Sequence, residues 1–458
     1  MKRSIFFIVA ITFLQHNLFA VEIDSAYVYK TYSTIAKRII EQSMKDSSAW
    51  NTLAYFCDTF GPRFSGSKSL NDALFWAKEA LEKDGFENVK LEKVLVPNWK
   101  RNFEEAFITY PRTKKINISA FGGSIGTNGK YIEAPVLVVK SFEELKQKAS
   151  LVPGKIVVYN FPYKGYGNGV QFRFWGAVRA AELGAVASLM RSISPIGFGK
   201  THTGMMQYVD TIPKIPHAAI TMEDAALLQR FQDRGIVPKI KLRLDCQTLE
   251  DTISYNLIAE YRGQTLPNEY VAMGGHSDSW DNTDGAHDDA SGCIAPWFAI
   301  KSIMELGYRP ARTLRLVWWV NEENGVRGGK AYAQQHKHEK HRVVFEFDSG
   351  VFEPTAIGIS GDDKMVAVLK GIEPIIKELS PLFEVRKGGG GVDIGPMMQL
   401  GIPGMSLSTK GNDEYFWYHH SPADTPEKVD PMLLNKCIAV IAVATYIYAD
   451  LPDFLSTN

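Results

Sequence analysis

Cysteine is scarce: Cys57, Cys246, Cys293 and Cys437 are the only ones in the chain, and they stand in widely separated segments. A dense disulfide framework is therefore excluded, and pairing cannot be read from spacing. An excess of charge is also missing, with 51 basic residues against 51 acidic ones. That balance argues against a nucleic-acid partner or a polybasic membrane surface, and leaves small molecules or peptides as natural partners. No stable membrane insertion is expected, because the apolar run Ile5 to Leu14 is too short for an ordinary span and the run Cys437 to Ala449 is short and interrupted. Neither a short internal repeat nor a low-complexity tract stands out. The glycines Gly388 to Gly391 are not followed by the Gly-Lys-Ser/Thr of a phosphate loop, so the expectation is a flexible loop lining a substrate crevice.

Against these absences stands a concentration of acids and imidazoles: His276-Ser277-Asp278, Asp288-Asp289-Ala290-Ser291-Gly292, Glu322-Glu323, Asp348 and His420. Zn2+ takes imidazole nitrogen and carboxylate oxygen and keeps one position for water. Two such ions about 3.5–4 Å apart can share a carboxylate. The pattern predicts one bridging acid, two terminal ligands per metal with a His in each pair, and a further acid that moves protons. Such a site is hydrolytic.

The apolar patterning delivers these residues to one place. Glu269 to Met273 reads as a buried strand with His276 and Asp278 after its carboxyl end, and Asp288 precedes a helical stretch beginning near Ser291. Leu314 to Val320 is the next apolar run, followed by Glu322-Glu323, and Arg342 to Phe347 is another strand, ending in Asp348. His420 follows the aromatic run Tyr415 to Tyr418. In open α/β sheets ligands bind outside the carboxyl ends of the strands, so separate segments converge on one crevice.

The strings Gly274-Gly275-His276-Ser277-Asp278-Ser279, Gly285-Ala286-His287-Asp288-Asp289-Ala290-Ser291-Gly292, Asn321-Glu322-Glu323 and His420-Ser421-Pro422-Ala423-Asp424-Thr425 resemble the signatures of the M28 family of co-catalytic zinc peptidases. The resemblance extends to Gly61-Pro62-Arg63-Phe64-Ser65-Gly66-Ser67. It implies an α/β zinc-exopeptidase sandwich, with a mostly parallel or mixed central sheet flanked by helices, two Zn2+ per chain and a homodimer. Carried over by motif, Asp288 is the bridging ligand, His276 and Asp348 complete one metal, and Glu323 and His420 the other. Asp278 is expected to hold the His276 ring, and Glu322 to be the general base that takes the proton of the attacking water and returns it to the leaving amine. Relatives place an acid four residues after the histidine ligand, and Asp424 stands four after His420, which favours His420 over His419. His419 takes the place of a Tyr that stabilises the oxyanion in some relatives. A substrate or oxyanion contact and a packing or solvent-facing histidine are its two readings.

The implied activity is hydrolysis of small unblocked peptides or dipeptides, with aminopeptidase, dipeptidase and carboxypeptidase all open. The alternatives are a non-catalytic binding protein or receptor on the same fold, which retention of the ligands disfavours, and a mononuclear zinc cyclase, which a metal count would reveal. Co2+ or Mn2+ could occupy the same ligands.

Residues 1–20, with Lys2 and Arg3 before the apolar core and Ala20 at the end, read as a signal peptide, placing the chain in the secretory pathway, secreted or in the lysosome or ER lumen. Asn117-Ile118-Ser119 is a glycosylation sequon consistent with that route. Residues 21–46 form a helical stretch, which the resemblance implies is a propeptide. The peptidase domain is expected over 47–120 and 245–451, opening with a helix Leu70 to Lys83 and a strand Val89 to Leu95, and closing with an amphipathic helix Pro431 to Leu451. Between them, 121–244 resembles a protease-associated insertion, with strands Ala134 to Val139 and Lys155 to Tyr159 and an Ala-rich helix Ala177 to Leu183. Such an insertion could act as a lid that restricts substrates to small peptides. His336 to His341 contains histidines at 338 and 341, three apart rather than at i and i+4, and is read as a solvated helix end.

Overall fold

A computed structural model describes residues 23–453, so the signal peptide expected at 1–20 lies outside the described residues. The strands form one continuous hydrogen-bonded path with helices packed on it. In spatial order its first part runs Glu384–Lys387, Pro354–Ile359, Gly404–Thr409, Lys340–Glu346, Leu266–His276, Arg312–Trp319 and Lys239–Tyr261. Leu266–His276 pairs in parallel with both Arg312–Trp319 and Lys340–Glu346, while Lys239–Tyr261 runs antiparallel to Arg312–Trp319 and Pro354–Ile359 antiparallel to Gly404–Thr409, so the sheet is mixed. Arg312–Trp319 is buried along its whole length, as a strand covered on both faces must be.

The helix Ser291–Glu305 and the closing helix Pro431–Asp450 pack together against this sheet. The closing helix is not amphipathic as expected: from Cys437 to Ala449 every residue is buried. It lies between the sheet and other helices, so its apolar residues face protein on all sides. The helix Ser25–Lys45 belongs to the same core. Asp24 caps it, and Val28, Tyr32, Ala36 and Ile39 recur at helical spacing and are all buried. Fully burying each of the larger of these side chains contributes about 1.5–3 kcal/mol. The segment expected as a propeptide is thus packed as a core helix.

The Val89–Leu95 strand is far longer than the sequence implied, Glu87–Tyr110, and pairs antiparallel with Lys239–Tyr261. Lys239–Tyr261 carries the path into a second set, Ile132–Val139, Ile156–Tyr159, Ala187–Arg191, His217–Ile220 and Ile118–Ala120. Two further apolar clusters form there. The boundary expected near 244 falls inside a continuous strand rather than a linker. The Ala-rich helix is Tyr166–Ala181, longer at its start than expected, because Gly167 and Gly169 imitate a loop. Gly169 is glycine for packing: a Cβ there would lie 2.7 Å from Ile193.

Two sequence expectations about loops are corrected. His336 and His341 are buried rather than solvated: His336 Nε2 lies 3.0 Å from Glu92 and its Nδ1 3.0 Å from Glu339, while His341 Nε2 lies 2.8 Å from the Tyr332 hydroxyl. The long strand bearing Glu92 covers this helix end and supplies the partner. Of the glycines Gly388 to Gly391, Gly388 is exposed in open space, Gly389 and Gly391 are packed, and none of the four lines the cavity at the strand ends. A Cβ on Gly389 would lie 2.2 Å from the Gly358 carbonyl oxygen, and one on Gly391 would collide with Glu346.

Candidate metal centre

The parallel strands end on one edge and present the expected residues there. His276 is the last residue of Leu266–His276, Asp348 stands two residues beyond Lys340–Glu346, and Glu322 and Glu323 follow Arg312–Trp319. Asp288 sits in the turn entering Ser291–Glu305, and His419 and His420 follow the short helix Asn412–Tyr418. Asn321 and His420 take left-handed backbone, with φ of 68° and 58°, a conformation that costs a non-glycine residue about 1–2 kcal/mol. Both bends fall within two residues of the side chains that enter the site.

Asp288 stands at the centre. Its Oδ1 lies 3.2 Å from His276 Nε2, which is 3.9 Å from Asp348 Oδ1. Its Oδ2 lies 3.4 Å from His420 Nε2, which is 3.0 Å from Glu323 Oε2. One carboxylate thus offers an oxygen to each of two ligand pairs. The two ring orientations are set from behind: His276 Nδ1 donates to the Asp278 carbonyl oxygen at 2.9 Å, and His420 Nδ1 to the Thr203 carbonyl oxygen at 3.3 Å. Each ring therefore turns Nε2 inward. His276 Nε2, Asp288 Oδ2 and Glu323 Oε1 are buried without a hydrogen-bond partner, which is costly unless a cation satisfies them. The donor set fits a divalent metal with nitrogen and oxygen ligands.

His419 also reaches Asp288, at 3.5 Å from Nε2 to Oδ2, and stacks on His420 with ring centroids 3.5 Å apart. His420 is the better placed ligand because it alone meets Glu323 as well. His202 Nδ1 donates to the His419 carbonyl oxygen at 2.8 Å, so the segment 121–244 holds this loop.

Asp278 differs from its expected role. Its carboxylate stays 3.9 Å from His276 Nδ1, and its backbone carbonyl orients that ring instead. The carboxylate accepts from the backbone N–H of Glu322 at 3.1 Å and from Ser65 Oγ at 3.0 Å. It therefore positions the candidate base. Asn117 is exposed and donates to the Gly199 carbonyl oxygen at 2.9 Å, away from the metal centre.

Burial pushes the Glu322 carboxyl up to about 8 despite the opposing charge of His276, with Asp348 and Asp288 adding to the rise. Burial likewise pushes Asp288 up to about 6. Burial opposes a charge on His276, yet the Asp288 carboxylate beside it and the charges of Asp348 and Glu322 raise it well above the usual range. Burial depresses His419 and His420. Crowded acids of this kind mark a site built around positive charge.

The sequence missed several supports. Asp424 accepts the N–H groups of His287 and Asp288 at 2.8 and 3.0 Å, and Asp289 those of His276 and Gly292 at 3.1 and 2.8 Å. Arg63 binds the carbonyl oxygens of Ser277, Asp284 and Gly285, tying the metal-site loops together. The quoted Gly61 to Ser67 string was their signal. The segment 121–244 adds Tyr166, Arg173 and Met205 to the cavity over the candidate metal centre, which no local motif announced.

Strand ends that gather buried acids and imidazoles around an open cavity define a site of the metal-dependent hydrolase type. The model of peptidase family M28 matches residues 256–445. Mouse carboxypeptidase Q is 43% identical over 93% of this chain and 91% of its own length. The structure of a peptidase M28 precursor from Shewanella amazonensis superposes with a TM-score of 0.89 at 32% identity, covering 93% of this chain and 98% of that one. A zinc aminopeptidase from Bacillus subtilis shares the fold, with a TM-score of 0.65 at 18% identity over 88% of this chain and 95% of its own. The chain belongs to peptidase family M28 and is a metallopeptidase.

Proposed function

We propose that the protein is a dizinc exopeptidase of the secretory pathway that hydrolyses small unblocked peptides, with Glu322 as general base. The observation that carries this reading is Asp288, whose two oxygens face separate His–acid pairs, His276 with Asp348 and His420 with Glu323. Zinc held by His276, Asp288, Asp348, Glu323 and His420 would supply Lewis acidity toward the scissile carbonyl and toward water near neutral pH. Glu322 takes the proton of the attacking water and passes it to the leaving amine. Its elevated proton affinity suits that exchange. Asp278 fixes the backbone of Glu322, so the base is aimed before substrate arrives. His419, beside Asp288 and at the cavity wall, is placed to donate to the developing oxyanion.

The inserted segment, 121–244, is read as the lid over this site, and its Tyr166 stacking on Phe416 at 4.7 Å supports that reading. The leader-like first residues and the exposed Asn117 support secretory passage and glycosylation. Residues 21–46 as a propeptide and the homodimer complete the proposal on the family resemblance. The deciding experiment is metal content with hydrolysis of unblocked dipeptides by wild type and Glu322→Gln. Two zincs in both proteins, with hydrolysis lost in the variant by about 100-fold or more, is the expected result. A fully active Glu322→Gln protein with its zinc retained would sink the assignment.

A further inference from the structure

The cavity over the metal centre has a volume of about 450 Å³, within the range of small-ligand sites and sized for a short peptide. Its acidic lining consists of Asp288, Glu322, Glu323 and Asp348, each already committed to metal or proton transfer. No acid remains there to pair with a substrate ammonium. The cationic lining is different: Arg173 and Lys330 both face the cavity, and neither is in an ion pair among the described residues.

Arg173 is the unusual one. It is 6% exposed, and a buried guanidinium without a carboxylate is costly. It is held by neutral groups only, with Nε donating to the Met205 carbonyl oxygen at 3.1 Å and Nη1 to the Tyr166 hydroxyl at 2.6 Å and the Thr203 carbonyl oxygen at 3.4 Å. The chain makes room for it: a Cβ on Gly204 would lie 2.2 Å from Nη1. Once metal balances the acids of the site, the Arg173 charge is left without a partner inside the cavity. Planar guanidinium is matched to carboxylate.

We propose that Arg173, presented by the helix Tyr166–Ala181 of the inserted segment, binds the free α-carboxylate of a short peptide, with Lys330 as a second cation at the open side. Arg173 then reads the carboxyl end of the small unblocked peptides proposed above. This rests on the peptidase reading above.

The test uses the zinc-loaded full-length protein and matched dipeptides with a free carboxylate, a C-terminal amide or an acetylated amino end. Wild type is expected to favour the free acid over the amide by about 30-fold or more in kcat/KM, the loss that follows when a buried charge pair is left half made. The acetylated form reports recognition of the amino end separately. In Arg173→Met the acid-over-amide ratio should fall toward one, mainly through KM, and Arg173→Lys should restore part of it. A purely structural role would lower both substrates together and leave the ratio intact. Binding of the acid and amide forms to Glu322→Gln protein, followed by calorimetry, gives the same comparison without turnover. Equal use of acid and amide by wild type overturns the proposal and leaves the peptidase reading standing. No hydrolysis of any form by correctly metallated wild type overturns both. If Arg173→Met does not fold, Arg173→Gln, which keeps polar donors toward the Tyr166 hydroxyl and the Met205 carbonyl oxygen, takes its place, and an acid-over-amide ratio unchanged from wild type overturns the role of Arg173.

Discussion

A carboxylate that accepts two hydrogen bonds from opposite sides cannot rotate freely, and Asp278 uses this to fix a backbone rather than a metal ligand. Its oxygens hold the Glu322 N–H and Ser65 Oγ, and Ser65 Oγ in turn accepts from Asn321 Nδ2 at 3.0 Å. Glu322, its neighbour Asn321 and Ser65 behind them are thus one unit. Asp278→Asn keeps the shape but turns an amide N–H2 toward one of the two donors. The expected outcome is a fall in kcat of about 10- to 100-fold, the usual effect of losing such a support. Metal content and steady-state kinetics check it, and unchanged kcat with full metal would place the control of Glu322 elsewhere. Ser65→Ala removes only one of the two bonds and should cost less.

Among the elements, the helix Arg327–His336 continues the chain from Glu322 and Glu323 and is anchored at its far end by charge. His336 joins Glu92 and Glu339, and Arg315 binds Glu260 at 2.7 Å and also Glu339. Burial opposes a charge on His336, but its hydrogen bonds to Glu339 and Glu92 prevail and its pKa is raised. Burial also opposes the charge on Glu339, yet His336 and Arg315 hold that carboxyl down to about 2. The signs then follow from linkage. The His336 contribution is fully present below its unfolded value of about 6.5 and fades as pH rises through the raised folded value. The Glu339 contribution is present above about 4.5 and fades as pH falls toward about 2. Between these limits both are charged. His336→Gln should therefore lower stability by about 2 kcal/mol near pH 5.5 and by clearly less near pH 9. Thermal melts of both proteins across pH test this, and an equal loss at both ends would show that packing, not charge, holds the helix.

Across the whole molecule, the sequence was legible where a residue's role is set by its own strand. His276, Asp348 and the Glu322-Glu323 pair follow apolar runs that had to be parallel strands, so their convergence could be read from patterning. Arg173 and Tyr166 could not, because their position over the site depends on how residues far apart in sequence pack, and the glycines opening their helix hid its start. The helix Ser48–Phe60 went unread for a related reason: Ser47 provides no side-chain cap, and the element is placed by the core around Leu53 and Phe56. The same global packing bears on stability at the metal centre, where Asp288, Glu323 and Asp348 are drawn together from three segments. Burial raises Asp288 and Glu323, and without a cation their mutual repulsion opposes closure of the loops that carry them. A metal that binds only the folded chain stabilises it by about 4 kcal/mol when its free concentration is about 1,000 times Kd. Chelation should accordingly lower the melting temperature along with activity, and added zinc should restore both. Scanning calorimetry with and without chelator, on samples of known metal content, is the measurement. A melting temperature unchanged after proven loss of metal would mean that Arg63, Asp289 and Asp424 hold the loops without help.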